Sequence, residues 1–179
     1  MIGAVEMSSV ILGTLIESDR VDVVGCVTRS NDGYHADWYD LRDQCEGRIP
    51  LHVTDNANSL DTYTFIRGLE PDVIFCCGWS QLLETSVLDI PRLGCVGYHP
   101  TLLPEGRGRH PIIWAIALGL SRTGSTFFLM DEGADTGAIL SQRMVTIYPQ
   151  DDAASLYRQL KREAIEQMSD VIRMFDECP

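Results

Sequence analysis

Several features that define large classes of protein are missing from this sequence. No stretch reaches the roughly 18 continuous apolar residues that a membrane-spanning helix needs, and no secretory signal is visible. The chain has no run of basic residues and a formal net charge of −12, so its surface repels the phosphate backbone of a nucleic acid. We therefore expect a cytoplasmic protein that binds neither membranes nor nucleic acids.

Signatures of bound metals and dinucleotides are missing as well. The six cysteines have no zinc-type spacing, and the acidic turn at residues 131–137 lacks the spacing of a calcium loop. Residues 3–9 contain no GxGxxG pattern. Four cysteines lie inside apolar runs, where a free thiol behaves as a small hydrophobe: Cys26, Cys76, Cys77 and Cys95. We expect core thiols in a reducing compartment and no metal site.

What is present indicates one α/β domain over residues 1–179. Short apolar, β-branched runs predict strands at residues 21–28, 72–77, 93–99, 126–130 and 139–147. Between them, helical periods predict helices at residues 8–17, 36–45, 59–69, 111–118 and 153–175, the last with a cap at Asp151 or Asp152. The alternation predicts a Rossmann-like, mostly parallel sheet with helices on both faces. The final helix, apolar on one face, either packs on the sheet or helps to form a homodimer.

The start of the chain is unusual for such a fold. Only Met1 and Ile2 precede the Gly3, Ala4 and Val5 segment, which has the character of a strand-to-helix turn. We expect a first strand that is very short or truncated.

Two segments carry chemical information. His99 ends an apolar run and precedes Pro100, so it is either a structural histidine at a strand terminus or a proton-transfer group at a strand's carboxyl end. Asp135 lies in an acidic, glycine-rich turn that is ordinarily solvated, yet it is the residue there best suited to a buried role. A histidine and a carboxylate brought together can move protons and stabilise a developing charge. The loop between prolines makes the Leu103–Pro104 bond a candidate for the cis form.

Taken together, these segments resemble the folate-dependent formyltransferase family. That family's pattern is Asn-x-His-Pro-Ser-Leu-Leu-Pro, an Arg-Gly loop, Thr-Gly-x-Thr, and Asp-x-Gly-x-Asp-Thr-Gly. Here the corresponding stretches are GYHPTLLP at residues 97–104, RG at 107–108, TGST at 123–126 and DEGADTG at 131–137. The resemblance covers most of the chain from Val21 onward, and it includes the sugar, glycinamide ribonucleotide and methionyl-tRNA branches of the family.

The resemblance implies that 10-formyltetrahydrofolate, as co-substrate, supplies a formyl group to a primary amine. His99 would stabilise the tetrahedral intermediate or shuttle its proton, and Asp135 would hold the charge state of His99 or relay a proton. The implied contacts with the folate are made by Trp79, Ser80, Gln81, Leu82, Leu83, Met130, Asp131 and Gly133. The implied contacts with the amine substrate are made by Ser8, Arg107, Gly108, Arg109 and His110.

One position departs from the family pattern, because its asparagine falls on Gly97, which has no side chain to donate. Loss of one oxyanion donor typically costs about 10²–10³ in turnover. Ser80, Gln81, His110 or a water molecule compensates, or the enzyme is slow on an unusual substrate, or the chain is a catalytically silent ligand-binding protein. Hydrolysis of the formyl donor is a further variant.

The amine that accepts the formyl group is inferred by elimination among the acceptors of the family. Methionyl-tRNA enzymes carry a further domain, and the net charge of −12 disfavours tRNA. Glycinamide ribonucleotide enzymes have a phosphate loop that residues 3–8, with Glu6 among them, do not match. A nucleotide-linked amino sugar is the expected acceptor, with glycinamide ribonucleotide as an alternative.

Overall fold

A computed structural model describes residues 1–31 and 36–176 of the chain. By their contacts the residues form two compact units, Met1–Val96 and Gly97–Pro179, which are taken in turn below. A single domain over residues 1–179 stays a prediction.

The sheet of the first unit is built from short parallel strands. β1 (Cys26–Thr28) pairs with β2 (Leu51–Val53), with Cys26 opposite Leu51. Sequence patterns identified β1 but missed β2, because Leu51–Val53 is a three-residue strand with partly exposed side chains.

A single residue, Ile2, takes the place of a first strand. It forms parallel bridges to Val27 of β1 and to Cys76 of β3 (Ile74–Cys76). The Ile2 N–H donates to the Phe75 carbonyl at 2.7 Å, and the Cys77 N–H donates to the Ile2 carbonyl at 3.0 Å. The bridges of Ile2 fit both expectations, a very short first strand and a truncated one, and Ile2 itself is 1% exposed.

The helices of the first unit are α1 (Glu6–Glu17), α2 (Arg42–Cys45), α3 (Leu60–Gly68) and α4 (Thr85–Leu88). The predicted helix at residues 36–45 is wrong over its first six residues. There the backbone bonds elsewhere: Trp38 forms an antiparallel bridge with Val5, and the Tyr39 N–H donates to the Ala4 carbonyl. The α4 turn was not predicted, since four residues are too few to show a helical period.

The cysteines of the described chain are buried and free, as expected. They are Cys26, Cys45, Cys76, Cys77 and Cys95; Cys178 lies outside the described residues. Burial raises the pKa of the Cys76 and Cys95 thiols to about 12, so both stay protonated at neutral pH. These thiols therefore act as apolar core groups.

In the second unit the strands lie in the order β4 (Cys95–His99), β5 (Arg122–Leu129), β6 (Ile139–Thr146). β4 begins two residues before this unit and ends on its candidate catalytic histidine. β5 and β6 are antiparallel, with a bulge in their register between Phe127 and Phe128. The helices are α5 (Pro111–Ala117) and α6 (Ala153–Asp176), both close to their predicted bounds.

Helix α6 has a well-formed start and a buried face. The Asp152 carboxylate accepts the Ser155 N–H at 2.7 Å, and the Ser155 hydroxyl accepts the Asp152 N–H at 3.0 Å, which confirms the predicted cap as a reciprocal pair. The helix packs on β5 and β6. Fully buried Gln167 donates to the Ser125 carbonyl and the Ser141 hydroxyl, which ties α6 to both strands. Among the described residues, no helix combines the length and apolarity that crossing a membrane requires.

Candidate active site

His99 stands at the carboxyl end of β4 with both ring nitrogens facing oxygen atoms. Its Nε2 lies 2.8 Å from the Gly106 carbonyl, and its Nδ1 lies 3.5 Å from Asp135 Oδ2. The side chain of His99 is 8% exposed and that of Asp135 is 22% exposed. The structure therefore brings together the two residues to which the sequence assigned catalysis.

The partners of the ring decide where its protons sit. A carbonyl oxygen only accepts, so Nε2–H donates to Gly106. A neutral ring then leaves Nδ1 as a lone pair that faces the Asp135 carboxylate, whereas an imidazolium presents a donor to each oxygen. Only the imidazolium form therefore carries a proton on Nδ1 that faces Asp135 Oδ2. At 3.5 Å the Nδ1 proton is held by charge rather than by a short hydrogen bond, so it remains available to a third group.

Asp135 is fixed by the loop that also receives His99. The Gly108 N–H donates to Asp135 Oδ2 at 2.9 Å, and Arg107 Nε–H donates to the Asp135 carbonyl at 2.9 Å. Asp135 has φ +55°, a left-handed conformation that aspartate and asparagine tolerate better than other side chains. The 106–108 segment thus holds the acid and, through the Gly106 carbonyl, the base.

Residues 100–105 lead away from His99, and their backbone is anchored by side chains of the neighbouring strands. Thr123 donates to the Pro100 carbonyl, Thr126 to the Thr101 carbonyl and Gln142 to the Leu103 carbonyl, at 3.0, 2.6 and 3.0 Å. The Leu103–Pro104 bond is cis, as the sequence suggested. The three hydrogen bonds seat the loop on the neighbouring strands.

The turn before Asp135 is organised by its first acid. Asp131 accepts the Gly133 N–H at 3.0 Å and the Thr136 hydroxyl, and the bond from Thr136 lowers the pKa of Asp131. A Cβ added to Gly137 would lie 1.6 Å from the Leu129 carbonyl oxygen, so this position accepts only glycine. Asp131 is therefore a structural carboxylate of the turn and stays ionised at neutral pH.

In the first unit, the predicted folate contacts form a loop that is pinned to the 56–58 turn. Gln81 accepts the Ala57 N–H at 2.9 Å and donates to Asn56 Oδ1 at 2.7 Å. The Arg29 guanidinium lies over the Trp79 ring at 4.4 Å. Ser80 and Leu82 are exposed, while Leu83 is buried. Gln81 therefore serves its own loop, and Trp79 and Leu82 offer the apolar surface.

The residues predicted to bind the amine substrate differ in their exposure and in the hydrogen bonds they already make. Ser8 is 0% exposed; its hydroxyl donates to the Cys77 carbonyl at 2.6 Å and accepts the Val5 N–H, so its placement gives no support to a substrate contact. Arg109 and His110 are exposed, and Arg107, though exposed, is bonded to Asp135. Over residues 1–31 and 36–176, no group of three or more His, Cys, Asp or Glu side chains is placed to hold a metal ion.

Residues 7–172 match the family model described as formyl transferase. The chain belongs to the formyl transferase family. It is 42% identical over 130 residues to methionyl-tRNA formyltransferase of Geobacter sulfurreducens, which covers 71% of this chain and 41% of that protein. It is 34% identical over 132 residues to the Clostridioides difficile methionyl-tRNA formyltransferase, which covers 74% of this chain and 43% of that protein. The chain spans less than half the length of these relatives.

Solved structures of formyl transferases share the fold. Phosphoribosylglycinamide formyltransferase of Bacillus halodurans superposes with a TM-score of 0.82 at 20% identity, over 98% of this chain and 93% of that one. A sugar 3N-formyl transferase, crystallised in the presence of dTDP and 5-N-formyl-THF, gives a TM-score of 0.70 at 17% identity, over 96% of this chain and 61% of that one. The predicted mixed α/β fold of formyltransferase type is therefore confirmed.

The departure of this member of the formyl transferase family from the family pattern has a physical cause that the sequence did not reveal. A Cβ added to Gly97 would lie 2.6 Å from Phe128 Cζ and 2.7 Å from Phe128 Cε1. The ring of Phe128, 3% exposed, thus fills the space that a side chain at residue 97 would need. Sequence reasoning missed Phe128 because it read as one more apolar residue of a strand.

Proposed function

We propose that this protein transfers the formyl group of 10-formyltetrahydrofolate to a primary amine. The observation that carries the proposal is the ion pair of His99 and Asp135 at the end of β4, with the acid held by Gly108 and Arg107. Membership of the formyl transferase family supports it.

The donors present fit a formyl carbonyl. When bound, the folate supplies the formyl carbon. The His99 imidazolium places a positive charge and the Nδ1 proton where negative charge on an oxygen can be stabilised. The Asp135 carboxylate lies 3.5 Å from Nδ1, and the Gly106 carbonyl fixes the orientation of the ring through Nε2. The His99 Nδ1 proton is not locked in a short bond, so it can pass to the departing nitrogen. The ring is then neutral, and its Nδ1 can take a proton from the acceptor amine.

We propose that the folate contacts those predicted residues whose side chains are exposed or half-buried. Trp79 and Leu82 present apolar surface in the first unit, and Met130 and Gly133 are partly exposed in the second. Ser80, Gln81, Leu83 and Asp131 are proposed to shape those segments, since Gln81 and Asp131 are bonded within their own loops.

For the acceptor we propose the amine of a nucleotide-linked amino sugar. The net charge of −12 disfavours a tRNA acceptor, and exposed Arg109 and His110 can meet the phosphates of a nucleotide. The curated relatives favour methionyl-tRNA as a second candidate. The choice of acceptor is tested by offering the amino sugar nucleotide, methionyl-tRNA and glycinamide ribonucleotide in competition. Mass spectrometry then identifies which of the three is formylated. Preference for the tRNA would overturn the amino-sugar proposal.

The formyl transfer itself is tested with two histidine variants. His99→Ala should lower kcat by about 10²–10⁴-fold, because it removes both the charge and the mobile proton. His52→Ala is the matched control, because this histidine bonds to Thr62 and stacks on Phe65 within the first unit. Equal rates for His99→Ala and the parent, at equal thermal stability, would contradict the proposal.

A second candidate function is a catalytically silent folate-binding protein, and the closure of position 97 by Phe128 favours it. Calorimetric binding of a stable 10-formyltetrahydrofolate analogue separates the two. Micromolar binding of the analogue by a protein that produces neither a formylated amine nor free formate would support the catalytically silent function. Formate release without any amine would instead identify hydrolysis of the donor.

A further inference from the structure

The two faces of β4 meet different residues of β5. Side chains alternate along a strand, so Gly97 and His99 share one face of β4 and Tyr98 lies on the other. The Tyr98 ring packs on Phe127 at 5.0 Å between centroids, and Ser125 donates to the Tyr98 hydroxyl at 3.2 Å. Phe128, next in β5, therefore points to the face that carries Gly97 and His99.

Contact between Gly97 and Phe128 is too close for any other residue at position 97. Real Cβ atoms essentially never approach another heavy atom within 3.0 Å, and here two ring atoms would lie at 2.6 and 2.7 Å and Met130 Cγ at 3.1 Å. The ring is 3% exposed and sits at the register bulge of β5 and β6, so it has little free space into which to move.

We infer that Phe128 is the residue that decides which side chain position 97 can hold, and that Gly97 and Phe128 act as one unit that keeps a hydrogen-bonding group out of the site beside His99. This inference rests on the proposed formyl transfer. On this face of β4 the nitrogen donor is then His99 alone, and the ring of Phe128 supplies an apolar wall in place of a second donor.

The pairing has a direct consequence for restoring a donor. Gly97→Asn by itself should fail, because the amide meets the Phe128 ring before it reaches the site. Phe128→Leu removes Cε1 and Cζ, the two atoms that crowd position 97, while it keeps an apolar side chain in the core. An amide at position 97 should therefore become functional only in the Phe128→Leu background.

The structural half is tested by a thermal double-mutant cycle with Gly97→Ala, which adds a Cβ and no donor. In the parent chain this change should lower Tm by about 4–10 °C, as overpacking of a buried site does in a chain of this size. In the Phe128→Leu background the same change should cost less than about 2 °C. Phe127→Leu is the matched control, since it shortens the neighbouring ring on the opposite face and should leave the full cost in place.

The functional half is tested by steady-state formyl transfer. Gly97→Asn with Phe128→Leu should raise kcat at least about tenfold over Phe128→Leu alone, with KM for the folate little changed, because a donor added beside a developing oxyanion acts on the transition state. Gly97→Ala with Phe128→Leu should give no such rise, which separates the amide from the added bulk.

The outcomes are distinct. An equal Tm cost of Gly97→Ala in all three backgrounds would overturn the pairing, and thermal coupling without a gain in kcat for the amide variant would overturn its functional role. If neither the parent nor any variant transfers formyl groups, the proposed function fails, while the thermal cycle still decides whether Phe128 controls position 97.

Discussion

Asp135→Asn isolates the charge of the acid from its shape. Asparagine tolerates the left-handed φ of +55° at this position, and its amide oxygen can accept the Gly108 N–H as Oδ2 does now. The loop should therefore keep its conformation. What disappears is the negative charge 3.5 Å from His99 Nδ1.

The size of the effect follows from the distance and the exposure. Two unit charges separated by 3.5 Å interact by about 5 kcal/mol at an effective dielectric of 20 and by about 1 kcal/mol in bulk water. With His99 at 8% and Asp135 at 22% exposure, the pair lies between these limits, and we take about 2–3 kcal/mol. If the charged ring acts in the transition state, this corresponds to a fall in kcat of about 30- to 150-fold.

The measurement is kcat for formyl transfer beside Tm for the same samples. Asp131→Asn is the matched control, because Asp131 lies in the same turn but bonds to Gly133 and Thr136 rather than to the ring. Asp135→Asn should lower kcat with Tm nearly unchanged, and Asp131→Asn should change kcat by less than about threefold. An equal loss in both variants would mean that turn geometry, not charge, supports activity, and an unchanged kcat in Asp135→Asn would refute the role of the ion pair.

Three further predictions concern the frame of the site. Gln142→Leu removes the donor to the Leu103 carbonyl and should lower Tm by about 2–4 °C with a parallel loss of kcat, as seen by calorimetry and steady-state rates; no change in either would show that the loop does not need this anchor. Gly137→Ala should abolish soluble folded protein, because its Cβ would overlap the Leu129 carbonyl oxygen, and a normal circular dichroism spectrum would contradict this. The hydrogen bond from the Ser155 N–H lowers the pKa of Asp152. The ionised Asp152 carboxylate therefore stabilises the folded chain above about pH 4, and this contribution is lost as the pH falls through the folded pKa. The difference in Tm between the parent and Asp152→Ala should accordingly disappear on acidification.

Local signals account for the parts of the molecule that sequence patterns predicted. The cap at Asp152 and the long amphipathic period of α6 are contained within neighbouring residues, and both appear as expected. His99 could be placed at a strand end because an apolar run and a proline bracket it. The expectation of a very short or truncated first strand followed from the two residues that precede Gly3, and the bridges of Ile2 agree with it.

Other parts depend on contacts between distant segments, and these were missed. The stretch from residue 36 to 41 has a helical period, yet Trp38 and Tyr39 bond to residues near the start of the chain. The resemblance assigned Ser8 to the amine substrate, but its hydroxyl bonds to Cys77, 69 positions away. The occupation of position 97 by Phe128 requires the pairing of β4 with β5, which no local pattern states.

The close contact of Gly97 with the Phe128 ring also constrains the order in which substitutions can accumulate. A larger residue at position 97 costs least after residue 128 has become smaller, whereas the reverse order passes through a destabilised protein. Mutations at these two positions are therefore not interchangeable steps. A directed-evolution library that varies position 97 alone would recover only glycine, and a library that varies both together would open sequences that no single step can reach.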